Sequence, residues 1–260
     1  MANDEFYTPL AAVEEELQHY DFYNMAVYCP CDADWSAFAK YFKKNRRRLK
    51  LNGFARSSSD FRHYKAQDLM ARCDVVVTNP PFSLFGKFLR QIKAHGKKFI
   101  VIGGNSNIGT AIDVFGPDRI QIGASRIRHP YHRPDGTTHR ISSIWLTNMS
   151  HHQPRPQGLL PSHGRRYDPN EYDFTDCGIL HVGPIKDIPI DYFGPMAVGE
   201  RYFIHHDPDL FTVANKCIAP TVAGRPTYRR LVIQRSLGQG KKDQNYFEEK
   251  LKFVPGDSMV

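Results

Sequence analysis

The run Cys73-Asp74-Val75-Val76-Val77-Thr78-Asn79-Pro80-Pro81-Phe82 holds the residues of this chain best suited to chemistry. Asp74 to Thr78 reads as a buried strand, short, apolar and β-branched. It stops at two prolines, which donate no ladder hydrogen bond and push the residues before them into extended states. The result is a stiff bend at the carboxyl end of a strand, where ligands bind in open α/β sheets. Asn79 offers a side-chain oxygen with two lone pairs, and the Pro80 carbonyl is held beside it. Two fixed acceptors suit a planar amine with two hydrogens to give. Such an amine is a poor nucleophile because its lone pair is delocalised into the ring. Acceptors on its hydrogens favour a pyramidal nitrogen and free that pair. Pro81 fixes the bend, and Phe82 supplies a face for stacking on a base. Asn-Pro is also a common turn dipeptide, so those residues alone are compatible with a simple bend.

The elements that must position this bend follow from apolar spacing. Ala26 to Cys29 predicts a strand, Pro30 to Asp34 a turn, and Trp35, Phe38, Ala39 and Phe42 the apolar face of a helix. Phe54 to Ser57 reads as a further short strand, and a short helix through Leu69 and Met70 leads to the Asn79 strand. After Phe82 a helix buries Phe85, Phe88, Leu89 and Ile92. A strand Phe99–Ile102 then closes at Gly103-Gly104, giving a parallel pair with the first. Asn105 to Asn107 suit the start of a helix through Ala111, Ile112 and Phe115. Residues 119–122 and 142–147 read as strands at an antiparallel end. Near the start, Thr8 suits an N-cap and Pro9 the first helical position, with Leu10, Val13 and Leu17 on one face.

The motif Asn79-Pro80-Pro81-Phe82, continued by Ser83-Leu84-Phe85, resembles the catalytic signature of the EcoRI-type adenine-specific DNA methyltransferases. The resemblance runs from Asp4 to about Arg235. It implies a Rossmann-like α/β sheet with helices on both faces and S-adenosylmethionine as methyl donor. The reaction it implies is direct transfer to the exocyclic amine of an adenine flipped out of double-stranded DNA. By the same resemblance Tyr7, Thr8 and Pro9 meet the cofactor's methionine end. Cys29, Pro30, Cys31, Asp32 and Ser36 match a family Cys-x-Cys-Asp segment followed by a serine. Asp60 and Phe61, in a Ser-Asp-Phe-Arg run, bracket the cofactor's adenine; Asp60 also suits a helix N-cap. The glycine-rich loop of dinucleotide folds is absent, and a cofactor without pyrophosphate does not need one. Family members carry a longer segment ahead of Ser59, and its loss leaves no obvious acid for the cofactor ribose.

Between the last two strands lies a loop rich in Arg and His, interrupted by Tyr, Pro and Gly. Arg126, Arg128, Arg133 and Arg140 suit phosphate contacts and Tyr131 an aromatic wedge, although an irregular surface loop would have the same composition. The run Lys43–Lys50 suits a helix C-terminus. From Gln153 to Asp168 the composition shifts to Pro, Gly, Arg and His, the best linker. The expected division is a catalytic and cofactor domain over 1–150 and a target-recognition region over 151–260. That region is expected to be small and irregular, with an amphipathic strand at 228–233 and an exposed tail.

The 260 residues carry a net charge of +8, which favours a polyanionic partner. No apolar run approaches a membrane span, and the start is no signal peptide. Five cysteines fit reduced thiols in a cytoplasm better than a disulfide framework, and the family resemblance implies a prokaryotic or phage-encoded protein. Neither Cys29/Cys31 nor His151-His152 has partners at metal-ligand spacing, so no metal is expected. A restriction endonuclease reading the same site is an expected counterpart without a stable complex. Three alternatives stay open: an amino-methyltransferase acting on RNA, cytosine or protein glutamine; a DNA-binding relative that has lost transfer; and a nuclease or other nucleotide enzyme, which would need a carboxylate cluster the sequence does not offer.

Overall fold

The computed structural model describes residues 6–152 and 165–236. The chain divides into two compact units, Met1–Arg155 and Pro156–Val260. Most of the expected linker and the whole expected tail lie outside the described residues.

The first unit opens with α1 (Leu10–Leu17) and continues through β1 (Ala26–Pro30), α2 (Ala37–Asn45), β2 (Gly53–Ser57) and α3 (Tyr64–Arg72). Then come β3 (Val75–Thr78), α4 (Phe85–Ala94), β4 (Lys98–Gly104), α5 (Ile108–Phe115) and β5 (Gln121–Ile122). The short strands β6 (Tyr131–His132) and β7 (Thr138–His139) precede β8 (Ser143–Thr147). Six of these strands form one sheet in the order β2-β1-β3-β4-β8-β5. β2, β1, β3 and β4 run parallel, and β8 lies antiparallel to both β4 and β5. All four residues of β3 are buried, as a parallel strand with neighbours on both sides and cover on both faces requires. Its last residue, Thr78, delivers the chain to Asn79 at the carboxyl edge of the sheet.

α4 buries the expected set, Phe85, Phe88, Leu89 and Ile92. Phe88 meets Phe61 edge to face, with ring centroids 5.0 Å apart. Four expectations give way. Trp35 precedes α2, whose core face is Phe38, Ala39, Tyr41 and Phe42, and stays half exposed. Pro9, extended at ψ 144°, takes the N-cap position of α1, so Thr8 falls one residue too early to cap it. Leu10 is exposed and Glu16 fully buried, because Glu16 finds donors inside. Asp60 is not the N-cap of α3; His63 is.

The second unit is more regular than its composition suggests. β9 (Leu180–His181), β10 (Met196–Gly199), β11 (Phe211–Val213) and β14 (Arg230–Arg235) form a four-stranded sheet in the order β11-β14-β10-β9. A hairpin of β12 (Thr221–Val222) and β13 (Arg225–Pro226) lies outside it. β14 was expected to be amphipathic, but Leu231 to Gln234 are all buried. It is an interior strand, paired antiparallel with β10 and β11.

Replacing Phe88 with alanine is expected to cost about 3–5 kcal/mol, as for other buried aromatic truncations. Urea denaturation measures this, and a loss below about 1 kcal/mol would contradict the packing described.

Candidate active site

Asn79 follows β3 directly, and its side-chain orientation is decided by one bond. Its Nδ2 donates to the Phe6 carbonyl at 3.0 Å. The amide nitrogen is thereby assigned, and Oδ1 faces the other way. That oxygen is buried and has no hydrogen-bond partner among the described residues. A buried carbonyl oxygen left unpaired costs about 1–3 kcal/mol, so such an atom needs an explanation. The surroundings offer one, because Asn79 lines two adjoining cavities.

The smaller cavity, about 270 Å³, is walled by Asn79, Pro80, Pro81, Phe82, Asp60 and Phe61, with Ser58 and Ser59. The larger, about 520 Å³, is lined by Tyr7, Thr8, Pro9, Asp32, Trp35, Ser36 and His132, among others. Phe6, Tyr7, Cys31, Ser58 and Asn79 line both. The sheet topology explains the convergence. β1, β2 and β3 are parallel neighbours, so the turn after β1, the serines after β2 and the bend after β3 meet at one edge.

Cys31 sits in the turn after β1 with φ +64°, a left-handed conformation that glycine adopts without cost. Thus the backbone shape of a glycine turn is present without the glycine. Burial, with Asp32 and Asp60 beside it, pushes the Cys31 thiol up to about 12, so it is a neutral thiol and a weak nucleophile. Asp32 is buried, and its backbone N–H donates to the Ser57 carbonyl at 2.9 Å. Thr78 Oγ1 lies 2.6 Å from Asp32 Oδ2 and also contacts the Pro30 carbonyl. One hydroxyl proton cannot serve both oxygens. A protonated Asp32 resolves this by donating to Thr78, which donates to Pro30. Burial likewise pushes the Asp32 carboxyl up to about 7, against the opposing pull of the Thr78 and Ser36 hydroxyls. Ser36 is the N-cap of α2 and accepts from the Ala39 N–H at 3.1 Å. The Thr8 hydroxyl is buried and, among the described residues, has no partner.

Several expected contacts are placed differently. Cys29 and Pro30 lie within β1 and line neither cavity; Cys29 belongs to the core. Phe61 reaches the smaller cavity but is only 1% exposed, because its ring packs on Phe88. Asp60 is exposed, and the Arg62 guanidinium and backbone N–H hold its carboxyl down to about 2. Tyr131 cannot be an aromatic wedge in this conformation. It is fully buried, and its hydroxyl pairs with Ser143 Oγ at 2.7 Å. Its strand explains this, since β6 and β7 make a hairpin where an irregular loop was expected. Arg126, Arg128 and Arg140 are exposed on the stretch that carries this hairpin. Arg133 instead lies over the Phe6 ring, 5.1 Å from its centroid.

The sequence reading passed over Phe6, Thr78, Trp35, Ser58, Ser59 and His132. The serine run 57–59 after a strand was a usable signal for hydroxyl ligands. Phe6 acts through its backbone carbonyl, which no residue type reveals. Among the described residues, no three His, Cys, Asp or Glu side chains cluster to hold a metal ion, and no helix is long and apolar enough to cross a membrane.

Known proteins resemble this chain over most of its length. The family described as adenine-specific methyltransferase EcoRI matches residues 1–57 and 54–255. The type II methyltransferase M.EcoRI of Escherichia coli is 31% identical over 284 aligned positions, covering 80% of this chain and 84% of that protein. M.MgeORF184P of Mycoplasma genitalium is 25% identical, covering 87% of each. M.MpnI of Mycoplasma pneumoniae is 27% identical, covering 90% of this chain and 88% of its own.

The Asp32 environment makes stability depend on pH. Its folded value, about 7, lies above the ordinary 3.8, so the protonated form favours the fold. That contribution is complete below about pH 4, is lost as pH rises to about 7 and stays lost above. Asp32→Asn mimics the neutral acid and should gain on the wild type across that window by on the order of 2–4 kcal/mol. Urea denaturation from pH 4 to 8 checks this; a pH-independent difference would contradict a protonated Asp32.

Proposed function

The chain belongs to the EcoRI family of adenine-specific methyltransferases, and from that membership we infer that it is a DNA adenine methyltransferase. The methyl donor in this reading is S-adenosylmethionine and the acceptor is N6 of a flipped adenine. One observation supports the assignment most directly. Asn79 lines two adjoining cavities, and its Oδ1 is a buried acceptor without a partner among the described residues.

The residues present fit the donor. The larger cavity holds a carboxyl at Asp32, hydroxyls at Thr8 and Ser36 and an aromatic pair, Tyr7 and Trp35, with ring centroids 4.6 Å apart. Asp32, when ionised, suits an ammonium; the hydroxyls suit a carboxylate or ribose; and an aromatic face attracts a cation. Cys31, at the left-handed position of the turn, lets the chain pass close beside the cavity. Ser58 and Ser59 are the proposed ribose contacts in place of the missing acid, and Asp60 with the edge of Phe61 the adenine contacts. When bound, the donor supplies an electrophilic methyl on a cationic sulfur.

The chain's own part in transfer is to prepare the amine. Asn79 Oδ1 and the Pro80 carbonyl accept its two hydrogens, and the nitrogen pyramidalises with its lone pair free. The Phe6 carbonyl holds the Asn79 amide so that the oxygen, not the nitrogen, meets the base. Preorganised acceptors of this kind need no reorganisation during the reaction. Pro81 keeps the bend rigid and Phe82 stacks on the base. The mixed sheet, with antiparallel β8 inserted beside the edge, supports a Rossmann-like methyltransferase domain with helices on both faces. The exposed arginines 126, 128 and 140 are the proposed phosphate contacts, and the second unit is the proposed target-recognition region. A restriction endonuclease reading the same sequence is the proposed counterpart, acting on the DNA rather than held in a complex.

Asn79→Ala should abolish labelled-methyl transfer to genomic DNA while cofactor affinity by calorimetry stays within about tenfold. Wild-type-like turnover would overturn the assignment. Replacing Arg126 and Arg128 together by alanine should lower the slope of log affinity against log salt by about 2. An unchanged slope removes this arm from the DNA interface.

A further inference from the structure

Glu16 is fully buried near the end of α1, and its carboxylate has an unusual set of partners. Oε1 accepts from the Tyr20 hydroxyl at 2.5 Å and from the Ala124 N–H at 2.9 Å. Oε2 accepts from the Ser125 N–H at 2.6 Å and the Ser125 hydroxyl at 2.7 Å. Three of these four donors come from two residues that immediately precede Arg126. The fit is tight. A Cβ on Gly123 would lie 2.2 Å from Glu16 Oε1 and 2.4 Å from Trp145 Cβ, so only glycine lets the backbone pass.

A carboxylate is an expensive group to bury, and an apolar residue would pack α1 without that cost. What an apolar residue would not do is receive the N–H groups of Ala124 and Ser125. These lie just past the end of β5, where the sheet ladder no longer supplies acceptors. Glu16 therefore holds the root of the segment bearing Arg126 and Arg128.

Further ties join the same segment to α1 and the residues just before it. Tyr7 and His132 exchange backbone hydrogen bonds at 2.7 and 3.1 Å. Glu15 Oε1 pairs with His129 Nε2 at 2.9 Å. Phe6 lies under Arg133, and its carbonyl holds Asn79. One end of α1 thus borders the cavities while the other grips the arm.

We propose that Glu16 is a positioning residue for DNA binding, whose buried carboxylate anchors the root of the basic arm Arg126–Arg140 to α1. It touches neither DNA nor cofactor. The proposal rests on the reading of Arg126 and Arg128 as phosphate contacts. Loss of the anchor loosens the arm's root at Arg126 and Arg128 and raises the dissociation constant for DNA, while the Tyr7–His132 backbone bonds keep the arm's inner part, and with it the cofactor site, in place.

The test is a double-mutant cycle of Glu16→Gln and Arg128→Ala, read by affinity for a mixed-sequence duplex, with cofactor affinity by calorimetry and folding by circular dichroism in parallel. Arg128→Ala alone should weaken the duplex about fivefold. Glu16→Gln should weaken it about tenfold, with cofactor affinity changed less than twofold. The double variant should be no more than about twofold weaker than Glu16→Gln, because an arm already displaced has little contact left to lose. Independent, multiplying effects, or full duplex affinity in Glu16→Gln, would overturn the anchor while leaving the arm's role intact. No effect of Arg128→Ala, or of Arg126→Ala beside it, would overturn the reading of the arm and the proposal with it. Should Glu16→Gln fail to fold, Ser125→Ala removes only the hydroxyl's bond to Oε2. It should weaken the duplex about threefold with the same non-additivity, and unchanged or additive behaviour would sink the proposal.

Discussion

The bond from Asn79 Nδ2 to the Phe6 carbonyl is the constraint on which this site depends. An amide has a donor end and an acceptor end of nearly equal size, and packing alone does not distinguish them. A single backbone oxygen does so here, and it comes from a segment 73 residues earlier in the chain. The consequence is a buried acceptor with no partner among the described residues, on a residue that lines two cavities, a costly arrangement in the absence of a donor. Under the proposed function that donor is an amine hydrogen of the target adenine, and the cost is recovered when the base enters.

The same segment explains why the site is assembled from distant parts. Phe6 and Tyr7 pair with the basic arm, line both cavities and lead into α1. Below them, β1 and β3 are tied through Pro30, Thr78 and Asp32. A polar chain of this kind inside a parallel sheet fixes the relative height of two strand ends. Those ends carry Cys31 and Asn79. Strain at Cys31 and burial at Asp32 are both unfavourable alone, and both fall where the backbone must skirt a cavity.

The spacing of apolar residues carried most of the first unit. β1, β3, α4 and β4 stand where runs of β-branched residues and the 3.6-residue period put them, because each buries one continuous apolar set. The short strands were less visible. β6 and β7 have two residues each, too few for any period, and the basic residues around them read as loop. In the second unit, β14 begins and ends with arginine, which hid a strand buried on both faces.

Residue types by themselves determined that an Asn-Pro-Pro-Phe bend would end a buried strand, and only the family resemblance put the proposed cofactor residues before it. Those properties are local: proline restricts its own and its neighbour's backbone wherever it stands. The tertiary structure alone decided which end of the Asn79 amide is tied to the Phe6 carbonyl and which is left without a partner among the described residues. It decided that burial raises the Asp32 carboxyl to about 7, that Tyr131 turns inward to Ser143, and that Glu16 receives the root of the basic arm. Each depends on a partner or a burial supplied by chain remote in sequence, and pairing across such distances leaves no period or spacing to read.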